Sequence, residues 1–177
     1  MDQPHLTLIS FGYFEKDFLE KVAEAVMHEF NHPSRIREGH VDLSEFFDAG
    51  RRQYNANHLL HLVDSMSLPE CLKTIGLFNV DLFIPILTYI FGQAALGGKS
   101  GIASLYRLNN EYYGMPADKT LLLERFKKEV IHELGHTFGL IHCNSPVCVM
   151  RSSTYVEDID QKEVHLCPVC RSRIKVI

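Results

Sequence analysis

His132-Glu133-Leu134-Gly135-His136-Thr137-Phe138-Gly139-Leu140-Ile141-His142-Cys143 is the stretch that decides the fold of this 177-residue chain. It closes a predicted helix. From Thr120 to Phe138 the apolar residues fall at 122, 123, 126, 130, 131, 134 and 138, the spacing of one buried helix face. Thr120 reads as its cap, and Gly139 stands where a helix stops. His132 and His136 are four apart, so their imidazoles project from one face about one turn from each other. That suits two ligands of a single zinc ion, with Zn–N near ~2.0–2.1 Å. Glu133 reaches the open side of such an ion, where a carboxylate can take a proton from bound water. Gly139 permits positive φ and a sharp turn that returns His142 to the same ion. Three neutral imidazoles leave Zn2+ its full charge and one open position, which brings the pKa of bound water towards ~7. The five-residue HExxH pattern also arises by chance on ordinary helices. Its place at a helix end, the Gly three residues on and the third His three further make it informative here.

Working outward, the next residue opens a second metal pattern. Cys143, Cys148, Cys167 and Cys170 are spaced C-x4-C-x18-C-x2-C. Two Cys pairs about twenty residues apart read as a closed tetrahedral structural zinc site. Two disulfides or a redox CxxC are the competing readings, and a reducing compartment disfavours the first. A four-thiolate knuckle can also bind nucleic acid or protein, but the basic residues of this region are offset by Glu157, Asp158, Asp160 and Glu163. Because Cys143 follows His142, the two sites are expected to share a wall. A lobe of ~35 residues buries little core, so a metal staple is its expected stabiliser. Met150, two residues after Cys148, reads by spacing alone as core filler.

The rest of the chain is ordinary by composition: 46% apolar, 23% charged, net charge −4, with ten His and five Cys. These values exclude disordered, collagen-like and coiled-coil classes. The absence of a basic tract argues against non-specific nucleic-acid binding. No secretory signal or membrane-length apolar run is read, so a soluble cytoplasmic protein with reduced thiols is expected. His5 to Gly12 reads as a strand and Lys16 to Phe30 as an amphipathic helix. Ser34 to Leu43 reads as a second strand and Tyr54 to Met66 as a helix. Asp81 to Leu87 reads as a buried strand, and Tyr89 to Leu96 with Ile102 to Leu108 as a hairpin around Gly97–Gly101. The order is α/β with a mixed sheet. His58 and His61 share a helix face without a third ligand and read as ordinary. His165, beside Cys167, is a weak candidate to support the structural zinc. Cys71 reads as a small core residue.

The series His132, Glu133, His136, Gly139, His142, Cys143, Cys148, Met150, Cys167, Cys170, or HExxHxxGxxHCx4CxM…CxxC, resembles the archaemetzincins, zinc peptidases of the metzincin clan. The motif covers 39 residues, and sixteen residues separate Met150 from Cys167, slightly fewer than in the family. The resemblance implies a metzincin-like zincin fold: a twisted five-stranded mixed sheet with an antiparallel edge strand, a long active-site helix and a small zinc-stapled C-terminal lobe. It implies one catalytic domain over 1–177, with lobes of about 1–139 and 140–177. It implies two Zn2+ per chain, a catalytic one on His132, His136 and His142 and a structural one on the four Cys. Glu133 would be the base, Met150 the Met-turn residue and Tyr155 a candidate oxyanion donor. The edge strand, about Tyr89 to Leu96, would line a cleft and pair with a peptide substrate. A monomer without nucleic-acid or membrane partners is expected. The competing functional readings are a catalytically idle zinc protein that binds peptides or proteins, and a zinc-knuckle nucleic-acid binder.

Overall fold

In a computed structural model, residues 3–174 are described. β1 (His5–Phe11) leads into α1 (Lys16–Phe30), whose bounds coincide with the predicted helix. Its inner face is Leu19, Val22, Ala23, Val26 and Phe30, while Glu15, Lys16, Glu20, Lys21 and Glu24 face outward. Asn31, left-handed at φ 55°, ends it and turns the chain into β2 (Ser34–Gly39). A short ribbon, β3 (Phe47–Asp48) and β4 (Gln53–Asn55), precedes α2 (Ala56–Ser65), capped by the Asn55 side chain on Asn57 N–H.

β5 (Cys71–Phe78) is a strand the sequence reading passed over, and it is the centre of the main sheet. That sheet runs β2-β1-β5-β9-β8, with β9 (Ser100–Ser104) and β8 (Gly92–Ala94). β2, β1, β5 and β9 are mutually parallel, and β8 is the antiparallel edge. β5 escapes notice because Lys73 and Thr74 break its apolar run. Both are buried nonetheless. The Lys73 amine donates to Gly98 O at 2.8 Å and lies 5.1 Å above the Phe138 ring.

Three predicted strands are corrected in extent. Asp81–Leu87 is a buried strand over Leu82–Ile84 alone, and it lies outside the main sheet. It supplies β6 (Leu82–Ile84), which with β7 (Leu87–Ile90), β4 and β3 makes a separate small sheet. Leu82 and Phe83 are buried, but Ile86 stands 86% exposed at the turn between β6 and β7. Tyr89–Leu96 is likewise divided: Tyr89 and Ile90 belong to β7, and the true edge strand is only Gly92–Ala94. Ile102–Leu108 keeps its strand only to Ser104, after which Tyr106–Leu108 form one 3-10 turn.

α3 (Lys119–Thr137) is the long helix, capped by Asp118 rather than Thr120. It packs on the main sheet beside α1, with Phe126, Val130, Ile131 and Leu134 in one core with Leu6, Leu8, Ile75 and Leu77. Beyond it the chain forms α4 (Val156–Gln161) and α5 (Pro168–Arg173). Val149, Met150, Val156, Ile159 and Leu166 join that same core, so apolar burial also holds this segment. A second apolar cluster on the other face of the sheet holds α2 through Leu59 and Val63. No helix among the described residues is long and apolar enough to cross a membrane.

Candidate active site

The end of α3 forms the floor of a cavity of about 740 Å3. Gly139, at φ 90°, reverses the chain as its spacing predicts. His132, His136 and His142 are thereby brought together, with one ligand atom of each within 4.8 Å of the others. Two hydrogen bonds fix how the first two point. Nδ1–H of His132 donates to Val149 O (2.8 Å), and Nδ1–H of His136 donates to Leu140 O (2.7 Å). A carbonyl only accepts, so each ring keeps its proton on Nδ1 and turns a lone pair out on Nε2. Those two Nε2 atoms are 3.1 Å apart. Two nitrogens at ~2.1 Å from one ion in tetrahedral geometry lie about 3.4 Å apart, so the pair fits zinc. Burial holds His132 well below the usual imidazole range and lowers His136 and His142, which favours the neutral, ligating form of all three.

Glu133 is 5% exposed, and Glu129, one turn earlier, is 4% exposed. Burial, then the adjacent Glu129 carboxyl, push Glu133 well above the usual carboxylate range, and burial also raises Glu129. Lys162, 2% exposed, enters from beyond α4. Its amine donates to Arg151 O at 2.9 Å and stands 3.5 Å from His132 Nδ1. Burial lowers its pKa, opposed by the charges of Glu129 and Glu133. Buried carboxyls of this kind beside neutral imidazoles call for positive charge, which a divalent cation supplies.

Two glycines shape the walls. A Cβ on Gly92 of the edge strand would lie 2.7 Å from Glu133 Cγ and 2.8 Å from Glu133 Oε1, so a bare backbone lets Glu133 sit against β8. A Cβ on Gly135 would lie within contact of the Met150 thioether, which is fully buried beneath that turn of α3. Met150 is held there by Cys143 N–H donating to its carbonyl at 3.0 Å.

The four Cys also converge, their sulfurs within 4.8 Å of one another. Cys143 Sγ and Cys167 Sγ are 3.8 Å apart, the separation of two sulfurs ~2.3 Å from one tetrahedral zinc. Backbone N–H groups of Ser145, Cys167 and Cys170 donate to Cys143, Cys148 and Cys167 sulfurs. The Cys170 N–H lowers Cys167 to about 7, whereas burial pushes Cys148 and Cys170 up.

The other sequence candidates lie elsewhere. His58 and His61 are exposed on α2, outside either cluster. Cys71 is buried, with Thr7 Oγ1 at 2.9 Å from its sulfur. His165 turns to Glu29, Nδ1 to Oε2 at 2.8 Å, rather than to the Cys cluster. Tyr155 lines the cavity with its ring 62% exposed. Glu29, Glu129 and Lys162 were not singled out from the sequence. Their one signal is a charged residue on an otherwise apolar helix face or beside a ligand, and most such residues are solvated.

This mixed sheet, with two imidazoles on a helix and a third returned by the turn after it at the foot of a cleft, defines a zinc metallopeptidase. Residues 34–176 match the model of peptidase family M54. The chain belongs to that family, and it is similar to proteins named archaemetzincin. It is 43% identical to the archaemetzincin of Pyrococcus horikoshii over 141 residues, 77% of this chain and 75% of the relative. Its fold superposes on the crystal structure of the archaemetzincin from Methanopyrus kandleri with a TM-score of 0.85 and 31% identity, covering 97% of this chain and 93% of that one. It matches the zinc-dependent peptidase from Methanocorpusculum labreanum with a TM-score of 0.87 and 27% identity, covering 96% and 100%.

Proposed function

We propose that the chain hydrolyses peptide bonds with His132, His136 and His142 as ligands of a catalytic zinc and Glu133 as general base. Cys143, Cys148, Cys167 and Cys170 hold a second, structural zinc, and 1–177 acts as one catalytic domain. The observation that carries this reading is the convergence of two Nε2 lone pairs, tautomers fixed from behind, next to a buried carboxyl. When bound there, zinc lowers the pKa of water and polarises a carbonyl. Glu133 accepts the proton of the attacking water and delivers it to the leaving amine. Tyr89 commits its hydroxyl to Thr154 O at 2.7 Å, so Tyr155 is the cleft phenol assigned to the oxyanion. The outer edge of β8 presents unpaired backbone groups to an extended substrate.

The test is Glu133→Ala. It should retain two zinc per chain by metal analysis and lose cleavage of a peptide library by at least ~100-fold, the usual worth of a positioned base. A variant that cleaves like wild type removes Glu133 from this role. A wild type that binds two zinc and cleaves no peptide supports the idle binding protein instead.

A further inference from the structure

Five of the seven tyrosines in the chain stand either in the cavity wall, as Tyr89 and Tyr155 do, or in the cluster adjoining it, as Tyr106, Tyr112 and Tyr113 do. Tyr89 anchors the wall, its hydroxyl on Thr154 O next to Tyr155. From there the cluster leaves the cavity through Arg107, whose guanidinium lies 4.2 Å from the Tyr89 ring centroid and 4.8 Å from that of Tyr112. Tyr112 makes edge contacts with Tyr106 at 5.5 Å and Tyr113 at 5.0 Å.

This surface is rigid. Asp81 takes Arg107 in a two-pronged ion pair at 2.6 and 2.8 Å, both partners largely buried. The Tyr113 hydroxyl donates to Arg107 O at 2.7 Å. Yet the rings are open to solvent: Tyr106, Tyr112 and Tyr113 are each about 40% exposed. Fixed tyrosines with part of each ring in solvent supply contact area at low entropic cost, which is why binding surfaces are rich in them. The Arg107 charge is answered by Asp81, so the guanidinium itself adds no unpaired charge to the patch.

We infer that this tyrosine platform is an extension of the substrate cleft, holding an aromatic side chain of a polypeptide at a distance from the scissile bond. The inference rests on the peptidase reading above, and the occupant follows from continuity. A chain laid along β8 and past Tyr89 and Tyr155 runs onto Tyr112 and Tyr106 next. The substrate class is therefore extended polypeptide longer than the cavity, not a dipeptide or tripeptide. An aromatic stack of this kind is worth roughly three- to tenfold in affinity.

The experiment uses the zinc-loaded protein and one cleavable core peptide taken from a library. The core is extended at either end by Gly-Ser spacers of increasing length that finish in Tyr or, as control, in Ser. At one end and one range of spacers the Tyr extension should lower KM three- to tenfold with kcat unchanged, and the Ser extension should not. Tyr112→Ala and Tyr106→Ala should erase that gain and leave the unextended core unaffected. Tyr106 is the safer variant, because among the described residues its ring pairs with no aromatic ring but that of Tyr112. Equal KM for Tyr and Ser extensions at every spacer and both ends overturns the inference. So does an equal loss on short and long peptides in both variants. Labelled peptides binding to Glu133→Ala separate this from the peptidase reading. Three- to tenfold tighter binding of the Tyr-extended peptide without wild-type turnover keeps the platform and sinks the catalysis. Equal binding, with turnover intact, does the reverse.

Discussion

Gly92→Ala should cripple Glu133 without touching a zinc ligand. Gly92 pairs with Ala103 across the β8–β9 ladder, and its α-carbon faces the Glu133 side chain. The added methyl would lie 2.7 Å from Ile102 O, 2.7 Å from Glu133 Cγ and 2.8 Å from Glu133 Oε1. Carbon atoms in contact rest about 3.5–4.0 Å apart, so the shortfall to Cγ is roughly 0.8 Å or more. Ile102 O is ladder backbone and cannot give. The Glu133 carboxylate is what moves, by the better part of an ångström. A displacement of about 1 Å at a reacting group costs on the order of 100-fold in rate, so kcat should fall by about that factor with zinc content unchanged. Stability has two opposing parts. Overpacking a closed site costs about 1–3 kcal/mol, while Gly→Ala restricts the unfolded chain and returns about 0.4–1 kcal/mol. Overpacking outweighs the gain by up to about 2.6 kcal/mol, which for a chain of this size lowers Tm by up to about 10 °C. The assay is steady-state cleavage with metal analysis and a thermal melt on the same preparation. A Gly92→Ala protein with wild-type kcat and a raised Tm would refute the contact between the edge strand and Glu133.

Two further outcomes follow from the other anchors. Glu29, 3% exposed at the end of α1, receives Leu166 N–H at 2.8 Å and holds His165 and Arg171. Glu29→Gln, with Arg171 half exposed, should cost about 1–3 kcal/mol and show as faster hydrogen exchange in residues 163–171. Unchanged exchange there would place the docking of this segment elsewhere. The Cys cluster should also be pH-sensitive when stripped of metal and kept reduced. Cys167 titrates at about 7, below the ordinary thiol value of 9.0, because Cys170 N–H donates to its sulfur. The folded form therefore sheds this proton before the unfolded chain does, and stability should rise with pH between about 7 and 9 and be lost below 7. Cys148 and Cys170, pushed up by burial, reverse the slope above about 9. Urea melts across pH 6–10 measure this, and a slope that persists in Cys167→Ser would assign it to another group.

The site was more legible than the sheet that carries it. Ligand spacing depends on one helix turn and one glycine, both local: His132 to His136 is a fixed helical step, and Gly139 takes φ 90° as the motif requires. β5, the central strand, was not legible, because burial on both faces normally announces itself as an unbroken apolar run. Here Lys73 is accommodated by a carbonyl and an aromatic face brought in from residues 98 and 138, partners no local window contains. The edge strand was read too long for a related reason. Tyr89 to Leu96 is continuous in composition, but the chain leaves the small sheet at Ile90, buries Phe91 and joins the main sheet at Gly92. Nothing in the residue types marks that change of sheet.

Glu133, His132 and His136 lie on one rigid helix, yet the atoms that aim the two imidazoles come from the segment after it. Val149 O orients His132, Leu140 O orients His136, and Met150 fills the hollow that Gly135 leaves. Val149 is fixed in turn by a residue near the four cysteines, and Met150 by one of the four. Val149 N–H donates to His165 O at 3.0 Å, and Cys143 N–H donates to Met150 O at 3.0 Å. The four-cysteine cluster and the three-histidine cluster are thus joined through two residues of backbone. A metal held by the first would steady the second, and a sequence in which Cys143 follows His142 allows little slack between them. Loosening the cysteine site therefore has to reach His132 through Val149, by a route of hydrogen bonds rather than by a change in any ligand of the histidine site.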